Sequence, residues 1–346
     1  MNRSIERFIH RMRRQAQQLS AVWPTDLARL ARRTPMQRGM LPQRAAPRSA
    51  AAPRRLGLAL GGGGGKGGAH LGVLAVLEEL DVPIDVIAGT SVGAAVGVLY
   101  AAGFPLDQLE RIFHAFALRR IATRDPTRMG LLGARKREAL LRELLGDRTF
   151  ADLRIPCAVT ATDLVSGRVV VITEGPLVPA IMASTAIPGI FPPVVRGAEL
   201  LVDGGVLNNV PVDVAEALGA QRVIAVQLAD APPRFELLAP TPDTPLARLM
   251  LAPRQFAIAN RALALLMAHA TELRLAQHPN TLRLRPDVSH IATLDMTRPA
   301  EGYRAGAAAA RAAAADLLAL RAWRLGGTHP AGAPHPHPGT PAAPPA

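Results

Sequence analysis

Eight residues, Gly61 to Gly68, read GGGGGKGG and lie between an apolar run, Leu56 to Leu60 (LGLAL), and an apolar stretch with helical spacing that opens at Ala69 (AHLGVLAVLEEL). Glycine has no Cβ and tolerates positive φ, so such a run lets main-chain N–H groups turn inward and approach a ligand closely. A strand, a loop of this kind and a helix in succession make a frame built to hold an anion.

Three anions compete for the loop: a nucleotide phosphate, a dinucleotide pyrophosphate, and the oxyanion formed when an ester is attacked. A Walker loop requires a glycine five residues before the Gly-Lys pair and a Ser or Thr after it. Counting back from Lys66 finds Leu60, and Gly67 follows the lysine. A dinucleotide fingerprint fits better, because Gly62, Gly64 and Gly67 satisfy G-x-G-x-x-G and Asp81 or Asp85 lies about twenty residues on. In a tract this rich in glycine that match comes almost free.

The stretch 84–103, IDVIAGTSVGAAVGVLYAAG, separates the readings. It contains Gly89-Thr90-Ser91-Val92-Gly93, a G-x-S-x-G elbow with an apolar strand before it and a small-residue helix after it. The turn exposes Ser91, Gly89 and Gly93 allow strand and helix to pack closely, and the helix N-terminus favours negative charge beside the hydroxyl. A dinucleotide-binding domain has no need of this second motif. A hydropathy scan could mistake the window for a membrane span, but Gly89, Gly93 and Gly97 interrupt it and each half is far short of about twenty residues.

With 346 residues, 49% hydrophobic, the chain can build one large domain. The single cysteine, Cys157, excludes an intrachain disulfide, so a cytoplasmic setting is the expectation. The formal charge of +13 is concentrated at one end: residues 1–55 hold 13 arginines against Glu6 and Asp26, a net of +11. The body is nearly neutral, which removes the reason to expect nucleic-acid binding by the folded domain. Within 1–20, Ile5, Phe8, Ile9 and Met12 share one helical face and Arg3, Arg7, Arg11, Arg13 and Arg14 cover much of the rest. That pattern suits either peripheral contact with an anionic membrane, on its inner face, or an arm folded back on the protein. Residues 34–55, with four prolines among arginines and alanines, read as a disordered linker. No secretory leader is recognisable. The expected organisation is a basic arm over 1–55, a catalytic domain over 56–325 and a Pro/Ala/Gly-rich tail over 326–346.

Beyond the elbow, helix-like and strand-like segments alternate as in an α/β domain. Helices are expected over 105–120, 135–145, 212–218, 257–276 and 305–323. Strands are expected over 155–162, 168–173, 200–202, 222–228 and 281–285. A serine nucleophile needs a base, and the histidine candidates are His70, His114, His269, His278 and His290. His70, at the start of the AHLGVL helix, reads as a packing or capping residue, and His290 follows a possible strand. Asp203 is better placed. Leu200 to Val202 reads as a buried strand and Asp203-Gly204-Gly205 as the turn ending it, which puts the carboxylate at the same sheet edge as Ser91 if the strands are parallel. Asn208 and Asn209 follow and can fix that loop by hydrogen bonds.

Four blocks in order, LGLALGGGGGKGGAHLGVL, GTSVGA, ASTAIPGIFPPV (183–194) and VDGGVLNNVPVDVA (202–215), resemble the bacterial patatin-like phospholipase family. The resemblance runs from about 56 to 320 and weakens across 230–280. It implies a three-layer α/β fold related to the α/β-hydrolases, with a mostly parallel central sheet and helices on both faces. By its motifs, Ser91 would be the nucleophile and Asp203 the base of a Ser-Asp dyad, with the N–H groups of Gly63 and Gly64 as the oxyanion hole. Lys66 stands where the family commonly has arginine. The implied activity is hydrolysis of acyl esters of lipids, without metal or other cofactor. Residues 183–194 suit either an acyl-chain pocket or loop packing. A regulatory or scaffold protein on a membrane with a vestigial site, and a nucleotide-binding protein, are the other functional classes. The first does not account for the intact set of Ser91, Asp203 and loop glycines, nor the second for the elbow.

Overall fold

The computed structural model describes residues 53–115, 125, 127, 129–228 and 254–326. The expected amphipathic helix over 1–20 and the tail beyond Gly326 lie outside the described residues. Eight strands form one mixed sheet: β1 (Leu56–Leu60), β2 (Val86–Thr90), β3 (Cys157–Asp163), β4 (Arg168–Ile172), β5 (Val194–Arg196), β6 (Glu199–Asp203), β7 (Arg222–Val226) and β8 (Thr281–Leu284). They follow the hydrogen-bonded path β5-β6-β3-β2-β1-β7-β8, with β4 paired to β3 outside it. The five central strands β3-β2-β1-β7-β8 are mutually parallel, and the pairs β3–β4, β3–β6 and β5–β6 are antiparallel.

Nine α-helices are described: α1 (Gly68–Glu79), α2 (Val92–Ala101), α3 (Leu106–Ala115), α4 (Arg135–Leu145), α5 (Leu177–Ser184), α6 (Val212–Ala217), α7 (Arg254–Leu275), α8 (Pro299–Ala312) and α9 (Ala314–Arg324). Central strands buried on both faces read as continuous apolar runs, which is why LGLAL and RVIAV show no alternation with polar residues. Their side chains still divide by period two. Leu56, Leu58, Leu60, Ile87, Val159, Ile224 and Val226 face the larger core with α1, α2, α5 and α8. Ala59, Val86, Ala88, Ala158, Val223 and Ala225 face a smaller core closed by α6 and Leu275 of α7. The result is three layers, helices on both faces of a mostly parallel sheet.

Helix α1, which leaves the glycine loop, is held by backbone contact with α8. A Cβ at Gly72 would lie 2.0 Å from Tyr303 O, and one at Gly306 would lie 2.0 Å from Ala69 O. Only glycine permits that approach. The alanine-rich segment expected as one helix over 305–323 is two, because the backbone departs from helical geometry at Ala313 (φ −98°, ψ 17°). Arg54 and Arg55 already contact the folded body: Arg54 Nη1 donates to Trp323 O at 2.7 Å, and Gln221 N–H donates to Arg55 O at 2.9 Å.

The expected parallel placement of the strand before Asp203 is corrected by the register. β6 runs antiparallel to β3, with Ala161 opposite Asp203 and Asp163 opposite Leu201. Residues 159–163 of β3 pair with β4 along one edge, so β2 and β6 share the other. β2 occupies that edge up to Thr90 opposite Thr160, and β6 takes over at the next residue. Two strands therefore point at each other tip to tip, and Ser91 and Asp203 lie where they meet.

Candidate active site

The elbow forces Ser91 into a backbone conformation that side chains rarely adopt, φ 55° and ψ −123°. Strain of this kind costs about 1–3 kcal/mol and persists only when surrounding contacts overdetermine it. Those contacts are present. Ser91 N–H donates to Ser184 Oγ at 2.8 Å, and Thr90 Oγ1 lies 2.6 Å from Thr160 Oγ1 and donates to Asn208 O at 2.9 Å. A Cβ at Gly93 would sit 2.1 Å from Leu60 O, so the turn can tighten only with glycine there.

Ser91 Oγ donates to Asp203 Oδ2 at 2.6 Å. The other carboxylate oxygen, Oδ1, accepts from Gly205 N–H at 2.8 Å, and Asp203 N–H donates to Ala186 O at 2.9 Å. Ser91 and Asp203 are each 6% exposed. Burial raises the Asp203 pKa from 3.8 to about 6, against the smaller pull of the Ser91 hydroxyl, the Gly205 N–H and the charge of Arg137. A carboxylate poised there is a far better proton acceptor near neutrality than one with an ordinary pKa.

The glycine loop lies over this pair. Gly61 N–H donates to Val226 O, Gly62 N–H to Asn209 O and Gly65 N–H to Thr293 O, all at 2.8–3.0 Å. Lys66 N–H reaches Gly63 O at 3.4 Å. Among the described residues the N–H groups of Gly63 and Gly64 make no backbone hydrogen bond. Gly64 adopts φ +59°, and a Cβ on it would meet Thr293 O at 2.1 Å. Gly62 lies against the nucleophile, since its Cβ would be 3.2 Å from that of Ser91. Gly67 opens α1, and Gly204 and Gly205 form a single 3-10 turn with Val206 after Asp203.

His70 supports the loop from beneath. It is fully buried, its Nε2 lies 2.7 Å from Gly61 O, and burial lowers its pKa to about 4. The ring is therefore neutral, with Nε2–H donating to the loop. Lys66 is buried and its Nζ donates to Leu228 O at 3.3 Å. It also lines a cavity of about 190 Å³ with Leu228, Arg285 and residues 286–289. His290 stands apart, with Nε2 3.3 Å from Glu301 Oε2, and His114 and His269 are exposed. His278 pairs with Glu216. Of the two carboxylates a dinucleotide reading could use, Asp85 is engaged by Arg324 at 2.6 and 2.7 Å and by Leu56 N–H at 2.7 Å, and Asp81 pairs with Arg321 at 3.4 Å. Among the described residues no group of three or more His, Cys, Asp or Glu side chains could hold a metal ion.

Residues 58–216 match the family model described as patatin-like phospholipase. Over this segment the chain is similar to patatin-like phospholipases. The chain is 40% identical over 177 residues to an uncharacterized NTE family protein of Mycobacterium tuberculosis, covering 50% of this chain and 49% of that protein. It is 33% identical over 183 residues to patatin-like phospholipase domain-containing protein 6 of Homo sapiens, covering 50% of this chain and 13% of that one. The chain thus spans about half the length of the mycobacterial relative and a small part of the human one. The crystal structure of VipD from Legionella pneumophila superposes with a TM-score of 0.41 at 16% identity, covering 78% of this chain and 68% of that one.

Two groups at the site were not singled out from the sequence. Ser184 carries a faint signal, a polar residue ending the apolar helix LVPAIMAS and fully buried. Arg137 carries none, because among Arg135, Lys136 and Arg142 on one helix it looks like a solvated charge.

Proposed function

We propose that the protein is a serine acyl-ester hydrolase acting on lipids, of phospholipase A or lysophospholipase type, in which Ser91 is the nucleophile and Asp203 its base. The observation that carries this reading is the 2.6 Å contact from Ser91 Oγ to Asp203 Oδ2, at a strained elbow beneath a glycine loop. Ser91 Oγ attacks the acyl carbonyl carbon while its proton passes to Asp203 Oδ2. The carbonyl oxygen becomes an oxyanion that the Gly63 and Gly64 N–H groups can receive. Collapse expels the alcohol, which takes the proton from Asp203, and an acyl-serine remains. Water, deprotonated by Asp203, then attacks the acyl-serine; collapse releases the fatty acid as Asp203 returns the proton to Ser91 Oγ. Neither a metal nor a nucleotide takes part.

The family match and the relatives named as phospholipase domain-containing proteins support lipid esters as the substrate class. In this reading residues 56–325 form the catalytic unit. The arginine-rich residues 1–20 give peripheral contact with the inner face of an anionic membrane from the cytoplasm. Among the described residues no helix is long and apolar enough to cross a membrane. The test is to incubate the full chain and Ser91→Ala with a panel of phospholipids, lysophospholipids and a soluble short-chain ester. Released fatty acid is expected from the wild type alone. Equal release by both proteins, or none by either, overturns the proposal.

A further inference from the structure

Arg137 lies in the first turn of α4, yet it is only 5% exposed. Its Nη1 donates to Thr185 O at 2.8 Å, and its guanidinium carbon stands 4.0 Å from the centroid of the Phe191 ring. Its Nε and Nη2 are buried and have no hydrogen-bond partner among the described residues. No carboxylate among those residues forms an ion pair with it, so a full charge is held in the interior with one hydrogen bond and one aromatic face. Such an arrangement is costly, since a leucine at the same position on α4 would bury without penalty.

What the charge faces explains why it is there. Three consecutive residues at the C-terminal end of α5 bridge the site: Ser184 Oγ accepts from Ser91 N–H, Thr185 O accepts from Arg137, and Ala186 O accepts from Asp203 N–H. The guanidinium thus grips the middle of a strap whose two ends hold the main chain of the two reacting residues. Its field reaches Asp203, and the two groups favour each other's charged forms. The other charged groups on neighbouring elements are already engaged. Asp163 on β3 accepts from Leu200 and the 165–166 turn, and Glu199 on β6 pairs with Arg196. On α7, Glu272 pairs with Arg283 and Arg285, and Arg274 pairs with Asp213. Lys66 in the glycine loop donates to Leu228 O. α5 contributes no titratable side chain.

We propose that Arg137 is a positioning residue for the hydrolase reaction, which clamps the Ser184–Ala186 strap and supplies the positive field that keeps Asp203 ionised as the base. This rests on the Ser91–Asp203 reading given above. Without the charge, desolvation of Asp203 is opposed only by the Ser91 hydroxyl and the Gly205 N–H, its proton affinity rises, and a smaller fraction of the protein is competent at neutral pH.

Three proteins test this: the wild type, Arg137→Gln, which keeps an N–H donor but no charge, and Arg137→Lys, which keeps the charge but loses the planar stack. kcat/KM for a soluble short-chain ester is measured from pH 4.5 to 9. The acid limb of Arg137→Gln is expected about one pH unit above that of the wild type, with activity recovering as pH rises. Arg137→Lys is expected to keep the wild-type limb within a few tenths of a unit, with a uniform loss of rate. An unmoved limb in Arg137→Gln, whatever its overall rate, overturns the proposal and leaves Arg137 as packing only. Ser91→Ala, run alongside, separates the two readings, since activity surviving it sinks the dyad rather than the clamp. Carbon-13 NMR titration of the Asp203 carboxyl, assigned with Asp203→Asn, reads the same shift without any substrate. An unchanged midpoint in Arg137→Gln there also overturns the proposal.

Discussion

Thr90 and Asp203 end two strands that meet tip to tip on one edge of β3, Thr90 opposite Thr160 and Asp203 opposite Ala161. The succession places a nucleophile elbow and a carboxylate in contact although 112 residues separate Ser91 from Asp203. The main-chain N–H of each residue is held by a further hydrogen bond, to Ser184 Oγ and to Ala186 O, so little reorganisation is left for the reaction.

Ser91→Ala and Asp203→Ala are each expected to lower kcat/KM for a soluble ester by at least about 10³-fold while leaving the circular dichroism spectrum unchanged. Because one residue activates the other, the double variant should be no more than a few-fold worse than either single one. If Asp203→Ala retained most of the activity while His290→Ala lost it, the base has been misassigned.

The raised pKa of Asp203 sets both activity and stability against pH. With a midpoint of about 6, kcat/KM is expected to fall as pH drops through that value and to be flat from about pH 7 to 8. For stability the sign is opposite to that of a salt-bridged carboxylate. The folded state binds the proton more tightly than the unfolded chain, so ionised Asp203 destabilises the fold above about pH 6, and the penalty is relieved as pH falls toward 3.8. The rise corresponds to about 3 kcal/mol. Asp203→Asn should therefore melt higher than the wild type at pH 7.5, with the gap closing near pH 4. A lower melting temperature for the variant at pH 7.5 refutes the assignment of that penalty.

Gly64→Ala places a methyl group 2.1 Å from Thr293 O at a position with φ +59°. The loop must shift to admit it, carrying the Gly63 and Gly64 N–H groups away from the forming oxyanion. A loss of about 10²-fold in kcat is expected, with KM nearly unchanged and a stability cost of about 1–3 kcal/mol. Activity within about twofold of the wild type would remove these two N–H groups from the mechanism.

Removing residues 1–52 leaves Arg54 on Trp323 and Arg55 beside Leu218. Binding to anionic vesicles should weaken in the truncated protein while turnover of a soluble ester stays the same. The difference should shrink as salt rises, because screening limits the reach of the arginines to about 8 Å near physiological ionic strength. Equal sedimentation of both proteins with vesicles at low salt rules out a membrane role for the arm.

The sequence by itself determined the parts whose geometry is local. LGLAL followed by a glycine tract and an apolar helix can fold in few ways, and G-T-S-V-G between a strand and a small-residue helix specifies a tight elbow, because φ/ψ limits and side-chain volume act within a few residues. The helix over Arg135–Leu145 was legible for the same reason, through its own periodicity. Only the tertiary structure decided what meets the elbow. Nothing within Leu200–Asp203 states that β6 runs antiparallel to β3, or that it begins pairing where β2 stops, since strand order and register are set by distant partners and by which faces must be buried. Ser184 and His70 acquire their roles only when α5 and α1 pack beside the elbow and beneath the loop. Arg137 is the sharpest case: its helix reads as a basic surface, and only packing against Thr185 and Phe191 takes that one charge out of water, where its field acts on Asp203 unscreened.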